Sequence, residues 1–166
     1  MLEARSHNQI KQLFKSVDLS WPHNLTLSRL VSRSLRRRDS TLIELDNSSQ
    51  NFWWPGLLVP LSLEASASVL ILSAAKRKWL LKVELPKLNS RGLDLPLWDG
   101  ALPPPNDQVW LMDHSGLIDA YQNNHLKGKQ LIILEAELLS NSIRIATEVI
   151  IRTKNWEHLI SANPSI

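Results

Sequence analysis

Glu135 and Glu137 stand one residue apart, with Ala136 between them, directly after the apolar run Leu131-Ile132-Ile133-Leu134. Such a run suits a strand buried on both faces of a parallel sheet. Open α/β sheets bind ligands and metals at the carboxyl ends of their strands, so carboxylates placed there are candidates for holding a divalent ion or orienting a water. The plainer reading is a strand running into a helix whose first turn carries acids because the helix dipole favours them.

Two basic clusters could do a different chemistry. Arg33, Arg36, Arg37 and Arg38, with Arg29 before them, sit on and at the end of a helical pattern, where cations also suit the dipole. Lys76, Arg77 and Lys78 open another helix, where the dipole would rather have acids, and this mismatch makes them the better candidates for an anion. Phosphate contacts from both sets would give sequence-independent binding to DNA, and Trp79 could stack on an exposed base. The bland alternative is two solvated faces and a packed Trp. The net charge of +3 argues against very tight binding.

Asp113-His114-Ser115 contains the residue types of a hydrolase triad, but sequence neighbours rarely aim at one point, and a turn capping the next helix is the preferred reading. His7, His23, His114, His125 and His158 show no metal-ligand spacing. Cysteine is absent, which excludes thiolate metal sites, iron–sulfur clusters and a cysteine nucleophile.

The elements that must position these residues follow from periodicity. Leu2–Lys15 and Leu25–Arg38 read as amphipathic helices, the second with Leu27, Leu30, Val31 and Leu35 on one stripe and Asn24 as N-cap. Thr41–Leu45 reads as a first strand and 46–51 as a polar loop, followed by a short apolar helix over Leu57–Leu63. Val69–Leu72 is a second strand. Lys76–Leu88 is a helix that Pro86 bends or ends. Residues 89–107, with Pro103-Pro104-Pro105, form a long connection. Gln108–Met112 is a third strand, a short helix runs through Tyr121, and Asn123–Lys129 turns into the strand at Leu131. Ser142–Ile151 is amphipathic or strand-like, and a last helical turn surrounds Trp156–Ile160. Strands alternating with helices imply one three-layer α/β domain over 1–166, its parallel sheet having about four or five strands. Within it, 1–38 are N-terminal helices and 39–166 the core. The N-terminus lacks a signal-peptide core and no run reaches transmembrane length, so a cytoplasmic protein without a membrane partner is expected. Seven Trp beside one Tyr and two Phe are read as packing residues.

In their order, these pieces resemble the first RecA-like lobe of DinG/XPD-type DNA helicases of superfamily two, a P-loop NTPase fold. Ile132-Ile133-Leu134-Glu135-Ala136-Glu137-Leu138-Leu139 is similar to the family's Ile-Ile-Asp-Glu-Ala-His-Asn-Leu, with Leu134 at the aspartate and Glu137 at the histidine. Thr41-Leu42-Ile43-Glu44 resembles the strand before the phosphate loop, and Leu57-Leu58-Val59-Pro60-Leu61 the helix after it. Val69-Leu70-Ile71-Leu72-Ser73 is similar to the strand of the DNA-contacting motif. Met1–Arg38, with Trp21-Pro22-His23, resembles the N-terminal region of a bacterial DinG-like branch.

The departures decide the chemistry that the resemblance implies. A phosphate loop needs glycines for positive φ, a lysine for the β/γ-phosphates and a hydroxyl for magnesium. Asn47, Ser48, Ser49, Gln50 and Asn51, at the corresponding place, include neither glycine nor lysine. Leu134 offers magnesium no oxygen, and Glu135, which would orient the attacking water, then has no nucleotide to act upon. The chain ends about thirty residues past the acidic motif, without room for a second lobe. The expectation is a degenerate, truncated helicase lobe without ATPase activity, cofactor or metal. It would retain weak nucleic-acid binding, with any second lobe supplied by a separate protein. The runner-up is a protein-interaction scaffold on a RecA-like frame. A third reading, an active nucleotide-dependent enzyme, needs a phosphate site of unfamiliar build.

Overall fold

A computed structural model describes residues 1–14, 23–45, 52–65, 68–148 and 153–162. Its sheet has four strands, all parallel, in the order β2-β3-β1-β4. In chain order these are β1 (Ser68–Ile71), β2 (Leu97–Trp98), β3 (Val109–Met112) and β4 (Gln130–Ile133). Strand side chains alternate between two apolar clusters, as a pleat requires. Leu70, Leu72, Val109 and Leu111 join one cluster with helices α1 (Leu2–Leu13), α2 (Asn24–Arg37) and α3 (Trp54–Leu63). Val69, Ile71, Trp110 and Met112 join the other with Leu117 and Ala120 of α6 (His114–Gln122), and Leu139 of α7 (Ala136–Thr147) packs against it. A last helix, α8, spans Thr153–Ala162.

The first three helices pack on one another because small residues let them approach. Ser32 donates to Ser6 across the buried α1–α2 contact at 2.9 Å. At Gly56 a Cβ would stand 3.0 Å from both Asn24 Oδ1 and Leu27 Cβ. Asn24 is not the cap of its own helix, since His23 holds that place. Its buried side chain instead accepts the Gly56 N–H at 2.9 Å and donates to the Phe52 carbonyl at 3.0 Å, satisfying the start of α3. That helix is apolar all round and buried from Trp54 to Leu61. On α2, Leu27, Val31 and Leu35 are buried as expected, whereas Leu30 is exposed.

Two expectations about the strands are corrected. Thr41–Leu45 has no regular secondary structure and, among the described residues, belongs to no ladder. Its alternation packs Ile43 and Leu45 against the helical cluster while Leu42 is 87% exposed. The Ser34–Thr41 hydroxyl contact of 2.6 Å and the Arg37–Asp39 ion pair of 3.1 Å tie its start to the end of α2. The fourth strand lies instead inside the expected connection. In Leu93-Asp94-Leu95-Pro96-Leu97-Trp98 the apolar residues recur every second position, and an edge strand tolerates the proline. The expected helix over 76–88 is present and Pro86 does not end it. The chain runs helically from α4 (Ala74–Trp79) through a π-helical turn (Leu80–Glu84) into α5 (Leu85–Asn89). The Leu85 N–H reaches back to the Leu80 carbonyl, and this wider turn accommodates a ring that would clash in a plain α-helix.

The loop after β2 folds back on that strand. Trp98 Nε1 donates to the Leu102 carbonyl at 2.8 Å, and Gly100 sits so close that a Cβ would lie 2.5 Å from the Trp98 ring. Residues 149–151 of the tail stretch lie outside the described residues, and 142–147 are helical. Among the described residues no helix is long and apolar enough to cross a membrane.

Candidate functional site at the carboxyl ends of β1 and β4

Both strands point their carboxyl ends at one place. After β1, Leu72 is buried and Ser73 caps α4, its Oγ accepting the Lys76 N–H at 3.4 Å. After β4, Leu134 N–H continues the ladder to the Ile71 carbonyl at 2.8 Å, and Glu135 then adopts φ 53° and ψ 48°. This left-handed conformation costs a non-glycine residue about 1 kcal/mol. Its carboxylate accepts the Ser73 N–H at 3.2 Å through Oε2 and meets Lys76 Nζ at 3.5 Å through Oε1. Lys76 in turn lies 5.7 Å from the centroid of the Trp53 ring, which stacks on Trp54 at 4.3 Å.

The basic opening of this helix therefore has its acid. The carboxylate that the dipole calls for comes from Glu135, 62 positions away, rather than from the helix itself. Partial burial works to raise the Glu135 pKa, but the Ser73 hydrogen bonds and the Lys76 charge outweigh it and hold the group below the usual glutamate range. Arg77 turns the other way along the same rim, donating to the Asp99 carbonyl at 3.1 Å and approaching its carboxylate at 3.5 Å. At Asp113, burial again pushes the pKa up. The Gly116 N–H, the Ser115 hydroxyl and the Arg77 charge together bring it below the usual aspartate range.

The expected site residues fall as follows. Leu134 is only 9% exposed and packs in the helical-face cluster, so the place the resemblance gives to a metal carboxylate is apolar core. Ala136 and Glu137 open α7, with Glu137 exposed. Asn47, Ser48, Ser49, Gln50 and Asn51, like Trp21 and Pro22, lie outside the described residues. Lys78 and Trp79 are exposed, Trp79 to 44%, whereas Lys76 and Arg77 are engaged with acids. Arg33, Arg36, Arg37 and Arg38 are exposed; Arg36 pairs with Glu3 at 2.9 Å and Arg37 with Asp39. Asp113 caps α6 by accepting the Gly116 N–H at 2.9 Å. His114 is buried with Nδ1 3.0 Å from Ser142 Oγ, so the triad types do not converge.

The two basic sets sit at opposite ends of β4. Gln130 Nε2, where the strand begins, donates to the Ser34 carbonyl of α2 at 3.1 Å, while Glu135, just past its end, holds Lys76. An open cleft of about 1760 Å³ runs between them along the strand's outer edge. Its cations, Arg5, Arg36, Arg38, Lys76 and Lys129, are matched by Asp39, Glu44, Glu64, Glu135 and Glu137. A lining so balanced does not favour a polyanion. Among the described residues no group of three or more His, Asp or Glu could hold a metal ion. Sequence reasoning missed Ser73 and Trp53. Serine before Ala-Ala-Lys is a helix-start signal that could have found the first, but nothing local ties Trp53 to Lys76.

No family model, curated protein or solved structure matches this chain.

Proposed function

We propose that the chain is a degenerate DinG-like helicase lobe, a three-layer RecA-like sandwich without ATPase activity, that keeps a weak contact to single-stranded nucleic acid in the cytoplasm. The two apolar clusters on alternate strand residues support the layered frame. The burial of Leu134, which leaves the acidic motif without a metal carboxylate, supports the loss of nucleotide chemistry. The observation that carries the nucleic-acid contact is Trp79, exposed between Lys78 and Lys82 on the surface of the helical run. An aromatic face flanked by free cations is what sequence-tolerant base stacking needs.

Fluorescence anisotropy with a labelled single-stranded oligonucleotide tests this reading. Affinity should fall steeply with salt and drop further in Lys78→Ala and Trp79→Ala, while calorimetry with magnesium and ATP gives no binding heat. Salt-insensitive or absent DNA binding would favour the second reading, a protein-interaction module, which the charge balance of the cleft supports.

A further inference from the structure

Among the described residues no strand pairs with the outer edge of β4. With Leu134 N–H on the Ile71 carbonyl and Ile71 in register with Ile133, the ladder to β1 uses the peptide groups of Ile132 and Leu134. The N–H and C=O groups of Leu131 and Ile133 therefore point into the cleft. Among the described residues no backbone hydrogen bond joins them to Thr41–Leu45 or to any other segment. Leu131 is 41% exposed, and the edge Leu-Ile-Ile carries none of the lysines or prolines that usually protect such a strand.

We propose that this edge pairs with the same edge of a second copy, in antiparallel register about a twofold axis at Ile132, giving one eight-stranded sheet across a homodimer. The charge arrangement argues for this occupant, and hydrogen-bond parity for the register. Charge is the first: the exposed Lys127 precedes the strand and the exposed Glu137 follows it, spaced symmetrically about Ile132. An antiparallel copy brings the lysine end of each chain to the glutamate end of the other. Hydrogen-bond parity is the second. The register centred on Ile132 sets Leu131 opposite Ile133 of the second copy, and these are the two residues whose peptide groups face outward. A register shifted by one residue would meet the charges poorly and face bonded peptides against free ones.

Sedimentation equilibrium of the full chain tests the pairing. A dimer is expected at about 100 µM, a concentration at which a specific edge contact is populated. Leu131→Pro removes an N–H that has no partner among the described residues, so it should give a folded monomer with an unchanged far-ultraviolet spectrum. Lys127→Glu, at an exposed position that leaves the ladder untouched, should weaken the dimer about tenfold at low salt, and Lys127→Glu with Glu137→Lys should restore it. A wild-type monomer at this concentration overturns the proposal. So does a dimer that tolerates both Leu131→Pro and Lys127→Glu, which would place the contact on another surface.

Discussion

Glu135 and Lys76 stand 3.5 Å apart at the carboxyl ends of two neighbouring strands, and the same carboxylate holds the Ser73 N–H. One side chain thus holds the residue that caps a helix, neutralises the helix's first cation and ties β4 to β1. Glu135→Gln should cost about 1 kcal/mol in urea unfolding, since it keeps the size and loses the charge. Glu135→Ala should be worse than Glu135→Gly by about 1 kcal/mol, because only glycine is at ease at φ 53°. Equal losses in the two variants would show that the left-handed conformation is not held.

The pH dependence follows with a definite sign. Glu135 and Asp113 both have folded pKa values below their ordinary ones, so the unfolded chain binds protons first as acid is added. Their contribution is complete above the ordinary carboxylate range and is lost as pH falls from about 4 through the folded values. Unfolding free energies measured across this window should decline in the wild type and decline less in Glu135→Gln.

An acid placed at Leu134 should not create a metal site. Leu134→Asp puts a carboxylate into an apolar cluster at a position 9% exposed, and should destabilise by more than about 3 kcal/mol through lost burial and an unpaired charge. Thermal melts with and without magnesium are the check; a variant stabilised by the ion would contradict the position of Leu134.

The helical run offers a paired test. Leu80 is fully buried, and Leu80→Ala should cost about 2–5 kcal/mol. Trp79→Ala, one position earlier and half exposed, should leave stability within about 0.5 kcal/mol while lowering oligonucleotide affinity.

At Gly56 the α2–α3 contact leaves little room for a methyl group, with Asn24 and Leu27 at 3.0 Å from its place. Gly56→Ala should cost about 1–3 kcal/mol in chemical denaturation.

Much of the frame was legible because burial leaves a period in the sequence. The apolar runs at Val69–Leu72, Gln108–Met112 and Leu131–Leu134 lie in strands, and the parallel sheet follows from the helices between them. Thr41–Leu45 misled because alternation reports that every second side chain is buried, not that the backbone is paired; here the burial is against helices. Leu93–Trp98 was passed over because Pro96 interrupts the pattern, although at an edge strand the missing N–H costs nothing in the ladder. The site was legible in its residue types alone. Glu135 and Lys76 each stood out, but their partnership is a long-range contact set by the strand order, and no local spacing encodes it.

The two margins of the sheet are unlike. β2 is two residues long, follows Pro96 and has its own loop folded onto Trp98, so it offers little template for another chain. Among the described residues, β4 is the margin left to recruit. Association through the sheet is therefore self-terminating: two copies joined at their receptive sides present only blunt ones outward, and the chain can make a closed pair without seeding a fibre.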